Sequence, residues 1–213
     1  MNTKELVIPH IVLVGGESCS GKTTFCEQLY NYFSYDSSIL QIISMDSYYL
    51  GNGDPDKNYD EPSAIDFTLL NKHVDMLLQG LSIQVPKYCF VTHSRSDETI
   101  TVVPTRIIII EGIFAFNDDS LINKSTTSII ITCEPRLLGM RRAFRDQASR
   151  GRTAESIIEQ YTKYVIPGTR QYIIPREYKA RIPINNTEHN VFQNSELAML
   201  YLKELLKTKI IKK

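Results

Sequence analysis

The segment from Gly16 to Thr23, GESCSGKT, matches the pattern G-x-x-x-x-G-K-[ST]. In this pattern the backbone N–H groups of a glycine-rich loop converge on phosphate oxygens at the N-terminus of a helix. Its lysine, here Lys22, reaches the β- and γ-phosphates, and the hydroxyl of Thr23 can hold Mg²⁺. The segment therefore predicts a nucleoside triphosphate site formed by Gly16, Glu17, Ser18, Cys19, Ser20, Gly21, Lys22, Thr23 and Thr24.

Two acidic residues follow predicted buried strands, and ligands bind at the carboxyl ends of such strands. Glu111 ends the apolar run Ile107–Ile110, and Asp46 comes two positions after a strand predicted for residues 39–44. Phosphoryl transfer needs a carboxylate that orients the attacking hydroxyl and accepts its proton. We expect Glu111 to serve the metal and Asp46 to serve the hydroxyl. A strand-end cap and a turn aspartate are the plainer interpretations of these two residues.

Five arginines lie within twelve positions, and Asp146 is the only acidic residue among them: Arg141, Arg142, Arg145, Arg150 and Arg152. Guanidinium groups suit polyphosphate because their planar fork is always charged. We therefore expect a mobile lid over the nucleotide at about residues 139–155. Nucleic-acid binding is the rival interpretation, and the lack of further basic clusters in the sequence weakens it.

Apolar strands alternate with amphipathic helices and would position these residues. Strands are predicted at 11–14, 39–44, 107–110 and 128–132, and helices at 22–33, 66–79, 136–149, 153–166 and 196–207. Residues 82–103 alternate with a period of two around Ser94–Asp97, which predicts a β-hairpin beside the main sheet. The pattern indicates an α/β fold: a doubly wound parallel sheet of the P-loop NTPase type, with an inserted β-hairpin and an arginine-rich helical lid.

Length and composition fit one soluble domain over residues 1–213. Of the 213 residues 42% are apolar, and 24 basic and 24 acidic residues give a formal net charge of zero. No global positive field would recruit nucleic acid or a membrane, and no apolar run is long enough to span a bilayer. The four cysteines lack a C-x-x-C spacing, so we expect free thiols and a cytoplasmic location.

Longer stretches carry a more specific resemblance. The sequence is similar to the uridine–cytidine kinase family from about His10 to Gln193. Besides the phosphate loop, the matching stretches are Asp46–Tyr49, Asn58–Asp66, Val85–Arg95, Glu111–Ile113, Arg141–Asp146, Arg150–Arg152 and Gln160–Tyr161. The resemblance implies a kinase that uses Mg²⁺ and transfers the γ-phosphate of ATP or GTP to the 5′-hydroxyl of uridine or cytidine. It also implies small-molecule partners and a cytosolic homotetramer that acts in pyrimidine salvage.

The same resemblance implies roles for individual side chains. Catalytic roles fall to Asp46, Lys22 and Arg145, and the metal positions correspond to Thr23, Asp46 and Glu111. Arg145 and Arg150 correspond to lid arginines on the phosphates. Contacts with the acceptor correspond to Asp60 and Arg152 at the ribose, to Tyr88, Phe90 and His93 at the base, and further to Asp46, Tyr49, Arg142 and Gln160. From the residues alone, a hairpin core and a structural histidine are the simpler interpretations of Tyr88, Phe90 and His93.

Three positions depart from the family pattern and bear on nucleotide preference. They are Glu17, where a small residue is usual; Arg181, where an Ala-Asp pair normally follows the last helix and this chain has Ala180-Arg181; and His189, where an acidic residue is common. A carboxylate facing ATP would repel it strongly, so we expect only the backbone of Glu17 to line the cradle.

Other functions remain as alternatives. A phosphoribulokinase-like or pantothenate-kinase-like enzyme would share the phosphate loop and Asp46 but not the hairpin Tyr88–His93. A GTP-dependent switch protein would need Asn-Lys-x-Asp, and Asn123–Thr126 lacks the final aspartate. A catalytically inactive nucleotide-binding subunit is disfavoured because every expected reactive group is present.

Overall fold

Short, buried apolar segments form the central sheet. The computed structural model describes residues 8–33, 38–54, 57–187 and 190–208. The strands are β1 His10–Gly15, β2 Leu40–Ser44, β3 Ile83–Cys89, β4 Ser94–Val102, β5 Ile107–Glu111, β6 Thr127–Cys133, β7 Ile182–Asn186 and β8 Phe192–Gln193. The main sheet has the order β2-β5-β1-β6-β7-β8. Its neighbouring strands are parallel except β7 and β8.

Helices cover the sheet and follow the strands in alternation. They are α1 Lys22–Phe33, α2 Phe67–Leu78, α3 Asp119–Lys124, α4 Pro135–Arg150, α5 Ala154–Gln160, α6 Ile166–Gly168 and α7 Ser195–Lys207. As predicted, Asp66 caps α2, since its carboxylate accepts from the N–H of Leu69 at 2.9 Å. Within the described part of the chain, no helix has the length and apolar character needed to cross a membrane.

Strand β5 shows how both faces of the sheet are covered. Ile108 and Ile110 pack into a cluster with side chains of α2 and of the strands β3 and β4. Ile107 and Ile109 pack into a second cluster with side chains of α1 and α7. The sequence of a parallel strand that is buried on both faces is expected to be a continuous run of apolar residues. The predicted doubly wound α/β architecture is confirmed.

Strands β3 and β4 form the predicted hairpin as a separate antiparallel pair. Its turn, however, lies at residues 90–93, so the prediction of a turn at Ser94–Asp97 was wrong. His93 adopts a left-handed backbone with φ 50° and reverses the chain. Arg95, inside β4, donates to Asp66 at 3.2 Å and to the carbonyl of Tyr48 at 2.7 Å. These contacts hold the polar segment in the strand and anchor the hairpin beside the sheet.

The region after α5 differs most from the prediction. We expected one helix at 153–166, but α5 ends at Gln160. The chain then continues through π-helical segments at Tyr161–Val165 and Thr169–Ile173 to a 3₁₀ segment at Ile174–Lys179. The sequence analysis did not predict α3, β7 or β8. Arg181 lies just before β7, at the amino end of that strand, and donates to the carbonyl of Thr126 at 3.0 Å. His189 lies outside the described residues.

Candidate active site

The loop between β1 and α1 turns tightly at Gly21. This residue has φ +99°, and a Cβ there would lie 2.2 Å from the side-chain nitrogen of Asn186, so only glycine fits. Cys19 also takes a left-handed backbone, with φ 66°. The Lys22 ammonium donates to the carbonyl of Glu17 at 2.9 Å. Burial lowers the pKa of Lys22, against the opposing charges of Glu111 and Asp46. The loop thus holds a buried cation at the N-terminus of α1.

Glu17 enters this loop through its backbone. Its carbonyl accepts from Lys22 and from the N–H of Ser20, the latter at 3.1 Å. Burial and the charge of Glu177 raise the pKa of the Glu17 carboxyl, while Lys22 lowers it. The side chain is not among those that line the cavity of the site.

Asn186 braces the loop from strand β7. Its side-chain nitrogen donates to the carbonyl of Ser20 at 2.7 Å and to Oδ1 of Asn190 at 3.2 Å. Asn186 is 1% exposed. Sequence reasoning missed this residue because β7 was not predicted. The only available signal was a polar pair, Asn185 and Asn186, at the end of an alternating apolar segment.

Two carboxylates and a threonine hydroxyl meet at the carboxyl ends of β2 and β5. Glu111 Oε1 accepts from Oγ1 of Thr23 at 3.4 Å and from Oγ of Ser44 at 2.8 Å. The Ser44 hydroxyl also accepts from the backbone N–H of Asp46 at 3.3 Å. Ser44, which the sequence analysis did not single out, therefore links the two carboxylate-bearing segments.

The ionisation of the two carboxyl groups, Asp46 and Glu111, depends on the charges around them. Burial raises the pKa of Asp46, while Lys22, Arg150 and Arg145 lower it. Burial and the charge of Asp46 raise the pKa of Glu111. Two buried carboxylates that oppose each other's ionisation are stabilised by a cation. Hard oxygen donors suit Mg²⁺, which commonly takes one or two carboxylates together with substrate phosphates. Thr23, Asp46 and Glu111 therefore fit this ion chemically.

Aromatic side chains line the other half of the site. The ring centroid of Tyr88 lies 5.4 Å from that of Tyr49 and 5.2 Å from that of Phe90. His93 stacks on Tyr59, with ring centroids 5.1 Å apart and an interplanar angle of 23°. His93 is 8% exposed, and its Nδ1 has no hydrogen-bond partner among the described residues. Burial lowers the pKa of His93, and the charges of Arg152 and Arg150 lower it further.

Asp60 lies between the aromatic group and the arginines. Asn58 shapes the loop that presents it, because the Asn58 side chain accepts from the N–H of Asp60 at 3.0 Å. Burial raises the pKa of Asp60, and Arg142 and Arg152 oppose that change. A Cβ at Gly168 would lie 2.2 Å from the Asp60 carbonyl. Gly168 therefore lets the helical segment after α5 pack directly against this loop.

These groups surround one cavity of about 350 Å³. Every residue predicted to bind the acceptor or the metal lines it, as do Arg145 and Arg150 of the predicted lid. From the phosphate loop, Gly16, Glu17 and Ser20 do not line it. Arg141, another of the predicted lid arginines, also lines it. Sequence reasoning gave no role to five further lining residues, Lys57, Tyr59, Ile113, Tyr164 and Asn190. Tyr59 lay within a stretch that resembled the family, so a signal for it existed.

Comparison with known proteins places the chain in a family. A model described as "Phosphoribulokinase / Uridine kinase family" matches residues 11–192. The chain is 38% identical over 203 residues to "Uridine kinase" of Borrelia duttonii, covering 93% of this chain and 94% of that protein. It is 33% identical over 196 residues to "Uridine-cytidine kinase B" of Dictyostelium discoideum, covering 89% of this chain and 80% of that protein.

Solved structures of other kinases share the fold of this chain. D-glycerate 3-kinase from Cryptococcus neoformans var. grubii is similar with a TM-score of 0.61 at 17% identity, covering 88% of each chain. A likeness at this identity shows a shared fold and says nothing about the acceptor. The family match and the sequence identities carry the assignment: the chain belongs to the phosphoribulokinase/uridine kinase family.

Proposed function

We propose that the protein is a uridine–cytidine kinase, which transfers the γ-phosphate of ATP or GTP to the 5′-hydroxyl of uridine or cytidine and gives UMP or CMP. One observation carries the proposal. The phosphate loop and an aromatic, acidic subsite for a nucleoside open on the same cavity of about 350 Å³, and Asp46 lines it together with both. A cavity of this kind can hold the two substrates with their reacting groups in contact.

The donor side supplies positive charge. Lys22 and the lid arginines Arg145 and Arg150 can hold the phosphate oxygens and stabilise the charge that develops during transfer. Asp46 orients the attacking hydroxyl and accepts its proton. Thr23, Asp46 and Glu111 would hold Mg²⁺, which neutralises phosphate charge when it is bound. The water-poor surroundings strengthen each of these interactions.

The acceptor side matches the shape and polarity of a pyrimidine nucleoside. A planar base gains from aromatic faces and from hydrogen bonds at its edge, and Tyr88 and Phe90 offer such faces. His93, held neutral by its lowered pKa, can donate to or accept from the base. Asp60 can accept hydrogen bonds from both ribose hydroxyls, while Arg152 neutralises its charge. Gln160 and Arg142 complete the polar lining.

The names of the curated relatives support a nucleoside as the acceptor. The family model covers both phosphoribulokinases and uridine kinases, so it does not separate the two by itself. Relatives aligned over most of the chain are named uridine kinase and uridine-cytidine kinase. The aromatic hairpin points the same way, because a sugar phosphate or pantothenate would leave Tyr88 and Phe90 without a planar partner. A sugar-phosphate or pantothenate acceptor is therefore the less favoured alternative.

A panel of acceptors tests the proposal. Purified protein is incubated with ATP and Mg²⁺ and with uridine, cytidine, adenosine, guanosine, ribulose 5-phosphate or pantothenate, and the products are identified by mass. We expect UMP and CMP, with little product from the other acceptors. A mock purification from cells that lack the protein serves as the control for contaminating kinases. Turnover of neither pyrimidine nucleoside, or preferred turnover of another acceptor, would overturn the assignment.

The proposal also covers the setting in which the kinase acts. We propose one kinase domain over residues 1–213 that works in the cytoplasm as a homotetramer in pyrimidine salvage, as the sequence resemblance implies. The free cysteines of the described chain, at positions 19, 26, 89 and 133, suit a reducing compartment. Sedimentation equilibrium at several protein concentrations tests the tetramer, and a monomer throughout would refute it.

A further inference from the structure

Two residues predicted to hold different ligands contact each other. Cζ of Arg150, at the end of α4, lies 4.0 Å from the ring centroid of Phe90, in the hairpin turn. A guanidinium over an aromatic ring is attracted by the negative face of that ring. The Arg150 side chain is 15% exposed, and partial exclusion of water strengthens the attraction. We call this pair the lid–hairpin contact.

Asp146 holds Arg150 in this place. Its Oδ1 lies 3.4 Å from Nη1 of Arg150 and 2.9 Å from Nε of Arg145. Its Oδ2 lies 3.4 Å from Nε of Arg142. The Asp146 side chain is fully buried, and a buried carboxylate must be compensated by charge. The three arginines provide that compensation, so Asp146 is an internal counter-ion for this arginine cluster.

The end of α4 is fixed by the same residue. The Asp146 carbonyl accepts from the N–H of Gly151, whose φ is 64°, and from the N–H of Arg152 at 3.1 Å. A left-handed residue after a helix is a common way to end it. Arg150 therefore lies just before this turn and Arg152 just after it, and both line the cavity.

On the other side of the contact, Phe90 belongs to the aromatic group of the nucleoside subsite. Its ring centroid lies 5.2 Å from that of Tyr88 and 6.4 Å from that of Tyr49. A base that packs against these rings would restrict the movement of Phe90. Arg150, which we propose to bind the nucleotide phosphates, would then stack on a ring whose position is fixed.

We propose that the lid–hairpin contact makes Arg150 and Phe90 positioning residues that couple the two substrates: an occupied nucleoside subsite favours the closed lid and so tightens the binding of ATP. The inference rests on the proposed function. Coupling between ligands is reciprocal, so ATP must tighten nucleoside binding by the same factor. An interaction of this type corresponds to a coupling of about fivefold to thirtyfold.

Calorimetry measures the coupling directly. The dissociation constant of an ATP analogue with an imido bridge between the β- and γ-phosphates is determined with Mg²⁺, with and without saturating uridine. For the unmodified protein we expect uridine to lower it by about fivefold to thirtyfold. Phe90→Leu keeps an apolar side chain but removes the ring, so the factor should fall below about twofold. Phe90→Tyr keeps the ring face and should retain the factor.

Matched controls separate this role from a purely structural one. Phe144→Leu makes the same change on α4 at a ring that is 71% exposed and should leave the factor as it is. In the Phe90→Leu background, Arg150→Gln should not reduce the factor further, because the contact is already lost.

The outcomes divide clearly between the two proposals. Binding of both ligands to the unmodified protein with a factor near one would overturn the coupling and leave the kinase assignment intact. A Phe90→Leu protein that keeps the full factor would also overturn it. Failure of uridine to bind the unmodified protein would overturn the proposed function and this inference together.

Discussion

Nζ of Lys22 lies 2.9 Å from the carbonyl oxygen of Glu17, and this hydrogen bond places the backbone of Glu17, rather than its carboxylate, at the phosphate loop. Burial raises the pKa of the Glu17 carboxyl group, and the nearby charge of Glu177 raises it further. A carboxylate about 4 Å from a phosphate would cost about 4 kcal/mol in surroundings of effective dielectric about 20, roughly a thousandfold in affinity. The geometry avoids that cost.

Removing the charge of Glu17 should therefore change nucleotide binding little. For Glu17→Gln we expect the KM for ATP to stay within about threefold of the unmodified value, which is less than about 1 kcal/mol. The thermal midpoint at pH 7 should not fall, because the repulsion between Glu17 and Glu177 is relieved. ATP is titrated at fixed uridine and saturating Mg²⁺. ATP bound tens of times more tightly by the variant would show that the carboxylate faces the nucleotide.

Asp46→Asn should nearly abolish turnover. The amide cannot accept the proton of the attacking hydroxyl, and loss of a general base costs about 10² to 10⁴ in rate. Uridine binding should survive, because Asp60 and the hairpin are unchanged. Steady-state rates and uridine calorimetry are compared with those of Asp97→Asn, a matched change on the exposed face of β4. Near-normal turnover by Asp46→Asn would remove the proposed role and leave the kinase assignment in place.

Protonation of His93 should change kcat/KM for cytidine and for uridine by different amounts. At position 4 the base of cytidine carries an amine donor and that of uridine an oxygen acceptor, and an imidazolium can only donate. Because burial, Arg152 and Arg150 lower the pKa of His93, the ring is neutral at pH 7 and serves both bases. Acidification through this pKa, below 6.5, should lower the ratio of kcat/KM for cytidine to that for uridine.

The substrate ratio cancels pH effects common to both nucleosides. Arg152→Gln removes a charge that lowers the pKa of His93, so the fall in the ratio should move to higher pH. His93→Ala should weaken both nucleosides by about 1–3 kcal/mol and remove the pH dependence of the ratio. If the ratio depends on pH in His93→Ala as it does in the unmodified protein, a group other than His93 is responsible and the proposed bond from His93 to the base is wrong.

Patterns within a short segment predicted the parts of the site that depend on local structure. The phosphate loop follows a strand and opens a helix, and Glu111 ends a run of isoleucines, so sequence alone placed both at the carboxyl edge of the sheet. The roles of Ser44, Asn186 and Asp146 arise from contacts between segments that the chain brings together only on folding. The hairpin turn was misplaced for a similar reason, since Arg95 is held in β4 by Asp66 and Tyr48.

The bond from Asn186 to Ser20 leads to the last prediction. It spans 2.7 Å, and its donor is 1% exposed, so Asn186→Ala leaves the Ser20 carbonyl buried without that donor. Such a loss costs about 1–3 kcal/mol, and the freed loop should raise the KM for ATP by about fivefold to a hundredfold. The KM for uridine should change much less, because the nucleoside subsite lies on other elements. Asn185→Ala, on the neighbouring exposed side chain, is the matched control and should leave both values within about twofold. Equal losses for ATP and uridine in Asn186→Ala would mean that Asn186 stabilises the fold as a whole rather than the loop.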